Sequence, residues 1–182
     1  MENRFITKTA IGDILIAFFG EDMLNTSKND RSLYHLSNKM RECGKYLLEM
    51  KKLGSYPDML STLKPDSFDK AIEATKNMSR YDAEKRTFGA ESLALHFATT
   101  LKKISDLTVK LILRKKIPLF VQDTEKNTFI FGTVKKLVES QWTKELGSLA
   151  LKDLNQKSAT KPKLLPVTED IKMKNYIENV AE

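Results

Sequence analysis

Two histidines, His35 and His96, and one cysteine, Cys43, are the only imidazole and thiol groups in the 182 residues. Zinc and related centres need clustered thiolate, imidazole or carboxylate ligands, and these three residues stand at no ligand spacing. A nucleophile–base pair would have to use one of the histidines, and neither lies in a recognisable motif. His96 falls on a helix flank and His35 near a helix start, both surface or boundary positions. The seven glycines are scattered and form no phosphate-cradling loop. The acidic triplets "TED" and "DAE" have the look of helix caps and solvated loops. No metal, cofactor or small-molecule substrate is expected, and a self-contained enzyme is not expected either. Charge is what remains: 31 Lys and Arg against 24 Asp and Glu, a formal net charge of +7. That balance favours polyanionic partners, nucleic acid ahead of a membrane surface.

The cations that could serve such a partner belong to two helices. The first is predicted over Ser32 to Leu53, with Gly54 ending it. At about 100° per residue, Leu33, Leu36, Met40, Cys43, Leu47 and Met50 share one arc, and Arg41, Lys45 and Lys52 gather on the opposite side beside Leu48. Cys43 therefore reads as a small core hydrophobe and not as a reactive thiol. The second is "SLALHFATTLKKISDLTVKLILRKK", Ser92 to Lys116, which lacks Gly and Pro. Leu93, Phe97, Leu101, Ile104, Leu111 and Ile112 share one arc, and Leu95, Val109 and Leu113 form a second stripe. A helix apolar on two sides packs centrally. Lys102, Lys103, Lys110, Arg114, Lys115 and Lys116 face a single acid, Asp106. Only the strip around Lys103, Lys110 and Arg114 is left for a partner, and Pro118 stops the helix.

The remaining pattern is also helical. A helix is predicted over Ile11 to Leu24, with "NTSKND" as the loop after it. Another begins at Pro65 and turns Phe68, Ile72 and Met78 inward. "SRYDAEKRTFGAES" is a connection. A helix follows through Phe131, Val134, Leu137 and Val138; Phe129 to Phe131 has strand propensity, but nothing nearby would pair with it. The apolar pattern continues through Trp142, Leu146, Leu149 and Ala150 to Leu154, with a break near Trp142. "NQKSATKPKLLP" is a linker, and Thr168 caps a last helix. The fold class is all-α, with six or seven helices: a helical domain over 1–157, a linker over 158–167 and a terminal helix over 168–182. No apolar run approaches the roughly 20 residues of a membrane span. The lone cysteine makes a reducing compartment, nuclear or cytoplasmic, the expected location.

The order of "NKMRECGKYLLEMKKL", "LKPDSFDKAIEATKNM", "SLALHFATTLKKISDL", Trp142 with "LGSLALKDL", and "KPKLLPVTEDIKMKNYI" resembles a family of metazoan, transposon-associated proteins that look like tyrosine recombinases. The resemblance runs from Ile14 to Ile177 as a spaced pattern of apolar and basic residues. It implies that 1–157 corresponds to the helical core-binding region, and that 168–182 opens a catalytic domain whose arginine–histidine–arginine set and tyrosine have no positions here; Tyr176 is on the wrong helix for that tyrosine. Where the pattern places a glycine and a histidine before "LKK", this chain has Ala98 and Thr99. DNA integration and recombination are the processes implied, and the partner implied is duplex DNA, held through its backbone. Arg41, Lys45 and Lys52 from one helix and Lys102, Lys103, Lys110, Arg114, Lys115 and Lys116 from the other would supply the contacts. The competing expectation is a protein–protein interaction module, docking a partner or a second copy through Leu48, Leu95, Leu113 and the Ile14–Phe19 run.

Overall fold

A computed structural model of the chain describes residues 2–26, 31–116 and 123–160. Seven helices of 11 residues or more account for most of them: α1 (Glu2–Gly12), α2 (Ile14–Thr26), α3 (Arg31–Leu53), α5 (Phe68–Met78), α6 (Glu91–Leu113), α7 (Thr124–Trp142) and α8 (Ser148–Thr160). A one-turn α4 (Met59–Thr62) and a 3-10 turn, Pro65–Ser67, bridge α3 and α5. The all-α expectation holds, with one addition. The connection after α5 contains a two-stranded antiparallel ladder, β1 (Tyr81–Asp82) and β2 (Thr87–Phe88).

The N-terminal pattern read as one helix from Ile11 is broken at Asp13 into α1 and α2. The Asp13 carboxylate is buried and accepts the backbone N–H groups of Leu15 and Ile16, which caps α2 from within the apolar run. Its other oxygen accepts the N–H of Met59 at the start of α4. Residues Phe129 to Phe131, ambiguous by propensity, lie inside α7, where Phe131 is buried and Phe129 is 72% exposed. The break near Trp142 is a π-type turn, Thr143–Gly147, leading into α8. Ser158 to Thr160, expected to open the linker, are helical as the last residues of α8. The remainder of that linker and the helix expected from Thr168 lie outside the described residues.

α6 is the axis of the fold, packing on α7 most extensively and also on α8, α2 and α5. Phe97, Leu101, Ile104, Leu111 and Ile112 are buried as the first arc requires. The second stripe is covered only in part: Leu95 and Val109 are half-buried, and Leu113 is 60% exposed. Trp142 donates its indole N–H to the carbonyl of Ala94 at 3.1 Å. With the Lys135–Asp106 pair at 3.0 Å this sets α7 antiparallel to α6. α3 reaches α6 through Tyr46, whose ring lies 4.9 Å from that of Phe97. On its other side α3 meets α1 at Gly44, where a Cβ would stand 2.7 Å from the Ile6 carbonyl oxygen, so only glycine permits this approach.

The hairpin is fastened by α8. Asp153 is 4% exposed and accepts the Phe88 N–H at 2.7 Å, while Lys157 donates to the Phe88 carbonyl and pairs with Asp153 and Glu91. A single i, i+4 ion pair thus satisfies both backbone groups of a buried strand residue. The Glu91 hydrogen bond holds the Lys157 ammonium above its ordinary range.

Candidate nucleic-acid interface

The basic stripe of α3 is not a row of free cations. Lys45, expected to touch phosphate, is half-buried and donates to the Met78 carbonyl at 2.7 Å. That carbonyl belongs to the last turn of α5, where a cation answers both an unpaired acceptor and the negative end of the helix dipole. The Lys45 assignment is therefore corrected: its ammonium fastens α5 to α3. Lys52 is exposed and pairs with Glu49 at 2.7 Å. Arg41 is exposed and bends along its own helix to the Ser37 hydroxyl at 2.9 Å. Arg41 and Lys52 remain solvent-facing, and each already has a local partner.

The cations of α6 divide into three groups. Lys102 is half-buried on the α7 side, in a groove with Leu95, Ala98, Glu139, Trp142 and Leu151, and so stands off the expected strip. Lys110 pairs with Asp22 of α2 at 2.8 Å, a partner that the spacing within α6 could not reveal. Lys103, Arg114, Lys115 and Lys116 are exposed, with no ion pair to any described residue. The last three owe their arrangement to the way α6 ends. The helix stops at Leu113, ahead of the proline held responsible for it. The Lys115 N–H bonds to the Ile112 carbonyl and the Lys116 N–H to the Leu111 carbonyl, each at 2.9 Å, with Lys115 at φ 53°. This is a Schellman turn with lysine where glycine is usual. It leaves three consecutive cations exposed at the helix end.

The α3 stripe and the α6 strip do not form one face. Lys39 and His35 are the α3 residues that meet Lys103, across a groove of about 320 Å³ shared with Phe19, Met23, His96, Thr99 and Thr100. Arg41 lies about 160° around α3 from Lys39. The groove therefore collects both histidines of the chain, which sequence reasoning had set apart as unrelated surface positions. His96, Thr100 and Lys103 could have been matched by their one-turn spacing. Their meeting with His35 and Lys39 depends on how α3 crosses α6, and no spacing encodes that.

Among the described residues no group of three or more His, Cys, Asp or Glu is placed to hold a metal ion. No helix of the described residues is long and apolar enough to cross a membrane. Burial pushes the Cys43 thiol well above its ordinary range, and the neighbouring Glu42 charge adds to this. Comparison with protein-family models, curated proteins and solved structures returned no match.

Proposed function

We propose that the chain is a non-catalytic helical DNA-binding domain that holds duplex DNA by its backbone, as its resemblance to the core-binding region of tyrosine recombinases implies. The observation that carries this reading is the set Lys103, Arg114, Lys115 and Lys116: exposed, on or just beyond one helix, and paired with no described acid. Lys103 and Arg114 are about 16 Å apart along the helix axis. Cations so placed can neutralise phosphates without reading bases. A nuclear location would follow from that role.

Such binding is weak, independent of sequence and steep in salt, with log Kd against log salt changing by about 0.9 per phosphate neutralised. Fluorescence anisotropy on duplex DNA across a salt series tests it. Replacing Lys103, Arg114, Lys115 and Lys116 by glutamine should weaken binding to every sequence and flatten the slope by about one per real contact. Replacing Lys110 alone should do less, because Asp22 already neutralises it. Absence of binding at low salt, or equal slopes for wild type and variant, would refute the reading.

One observation favours the second reading, an interaction module. An apolar groove of about 410 Å³ runs between α1 and α3, lined by Ala10, Ile11, Leu33, Leu36 and Met40, with Ile11 69% and Leu33 53% exposed. Of the residues first expected to dock a partner, Leu113 and Ile14 are exposed, at 60% and 67%, and the other large ones are less available. Leu48 and Leu95 are half-buried, and Leu15, Ile16 and Phe19 are core.

A further inference from the structure

Thr100 departs from the other buried threonines. Thr75 and Thr108 each give the hydroxyl proton to the carbonyl four residues back, at 2.8 Å, and Thr62 gives its own to Met59 at 2.7 Å. Thr100 is 3% exposed, against 0–2% for those three, and lines the groove between α2, α3 and α6. Its hydroxyl makes no hydrogen bond to any described residue. With no described acceptor, that hydroxyl opens to the groove and is free to donate to a group that enters it.

The surroundings define that group. His96 lies one turn before Thr100 and Lys103 one turn after it, on the same face of α6. Both are exposed at the rim, and Thr99 adds a second hydroxyl. His35 and Lys39 close the opposite side from α3. The Lys39 ammonium is held by Glu42 at 2.7 Å, so that pair brings hydrogen-bonding capacity without net charge. No carboxylate lines the groove, and its floor is Phe19 and Met23. An anion with several acceptor oxygens matches hydroxyl, ammonium and imidazole donors arriving from different directions. We propose that this groove binds a phosphate group, with Thr100 and Lys103 as its principal donors and His35 and His96 flanking it. The chemistry recognises the phosphate, not the molecule that carries it. The site therefore stands whether or not the end of α6 grips a duplex.

Inorganic phosphate, a 5′-phosphorylated duplex and the same duplex without the terminal phosphate are the three probes. Each is titrated into the full chain at fixed pH, with chloride matching the ionic strength, while NMR follows the ring signals of His35 and His96. Movement with inorganic phosphate places a free phosphate or phosphomonoester in the groove. Movement with both duplexes, but not with inorganic phosphate, places a backbone phosphodiester there. Thr100→Val, which keeps the shape and removes the hydroxyl, should weaken the responding ligand about fivefold, and Lys103→Gln about tenfold. Still ring signals with all three probes, or wild-type affinity in both variants, would overturn the proposal. Loss of salt-dependent duplex binding in anisotropy, with the response to inorganic phosphate retained, would sink the DNA reading alone.

Discussion

The Asp13 carboxylate accepts the backbone N–H of Met59 at 2.7 Å while its other oxygen caps α2 through Leu15 and Ile16 at 3.0 and 2.9 Å. One side chain therefore closes two helix starts. Asp13→Ala should leave three buried N–H groups without acceptors and cost about 2–4 kcal/mol. Thermal melting should register a fall of several degrees. Asp13→Asn should recover only part of it, because its amide NH₂ would face donors on one side. A melting temperature within a degree of wild type for Asp13→Ala would show that the N-terminal helices are held without this cap.

Lys45 separates stability from binding. Its bond to the Met78 carbonyl predicts that Lys45→Gln destabilises the domain by about 1–2 kcal/mol. Its affinity for duplex DNA should equal that of wild type once the folded fraction is matched. Chemical denaturation and anisotropy measure the two quantities independently, and a flattened salt slope in this variant would return Lys45 to the interface.

Lys115 predicts the opposite pairing. A non-glycine residue at φ 53° carries roughly 1 kcal/mol of strain or more. Lys115→Gly should therefore stabilise the end of α6 by up to about that amount while removing one exposed cation. The expected result is a raised denaturation midpoint together with a salt slope reduced by about one. A lowered midpoint would mean that the lysine side chain contributes more to the fold than its backbone costs.

Cys43 is wholly buried in α3, and burial holds its thiol far above the range where thiolate forms near neutral pH. A thiol reagent should therefore label it no faster than the domain opens. Labelling in urea should follow the unfolding curve. Prompt reaction of the native chain would mean that the core around α3 is open on the timescale of the assay.

The helices were legible wherever apolar spacing repeats over several turns. α3 and α6 emerged within a few residues, and Phe97, Leu101, Ile104, Leu47 and Met50 fell in the core as their arcs required. Asp13 was missed because a capping aspartate inside "IGDILIAFF" interrupts a helix without interrupting its hydrophobicity. The hairpin was missed because two-residue strands carry no periodicity; Phe88 is held by Asp153, 65 positions away. The candidate interface was half legible for the same reason. Exposed cations on α6 could be counted from the sequence, and Glu49 stands within α3 at pairing distance from Lys52, but the partners of Lys45 and Lys110, and the approach of His35 to His96, are properties of neighbouring elements.

The Asp153–Lys157 grip on Phe88 also bears on the order in which the domain can form. β1 and β2 are complete once residue 88 has been made, yet both backbone groups of Phe88 wait for a helix that ends some seventy positions later. Until then the hairpin has water for a partner, and its burial cannot precede that of α8. Loop closure over such a span is slow relative to the local winding of α6 or α7. The amide of Phe88 should thus be among the last in the domain to gain protection when refolding is followed by pulsed hydrogen exchange, even though it ends as one of its most enclosed groups.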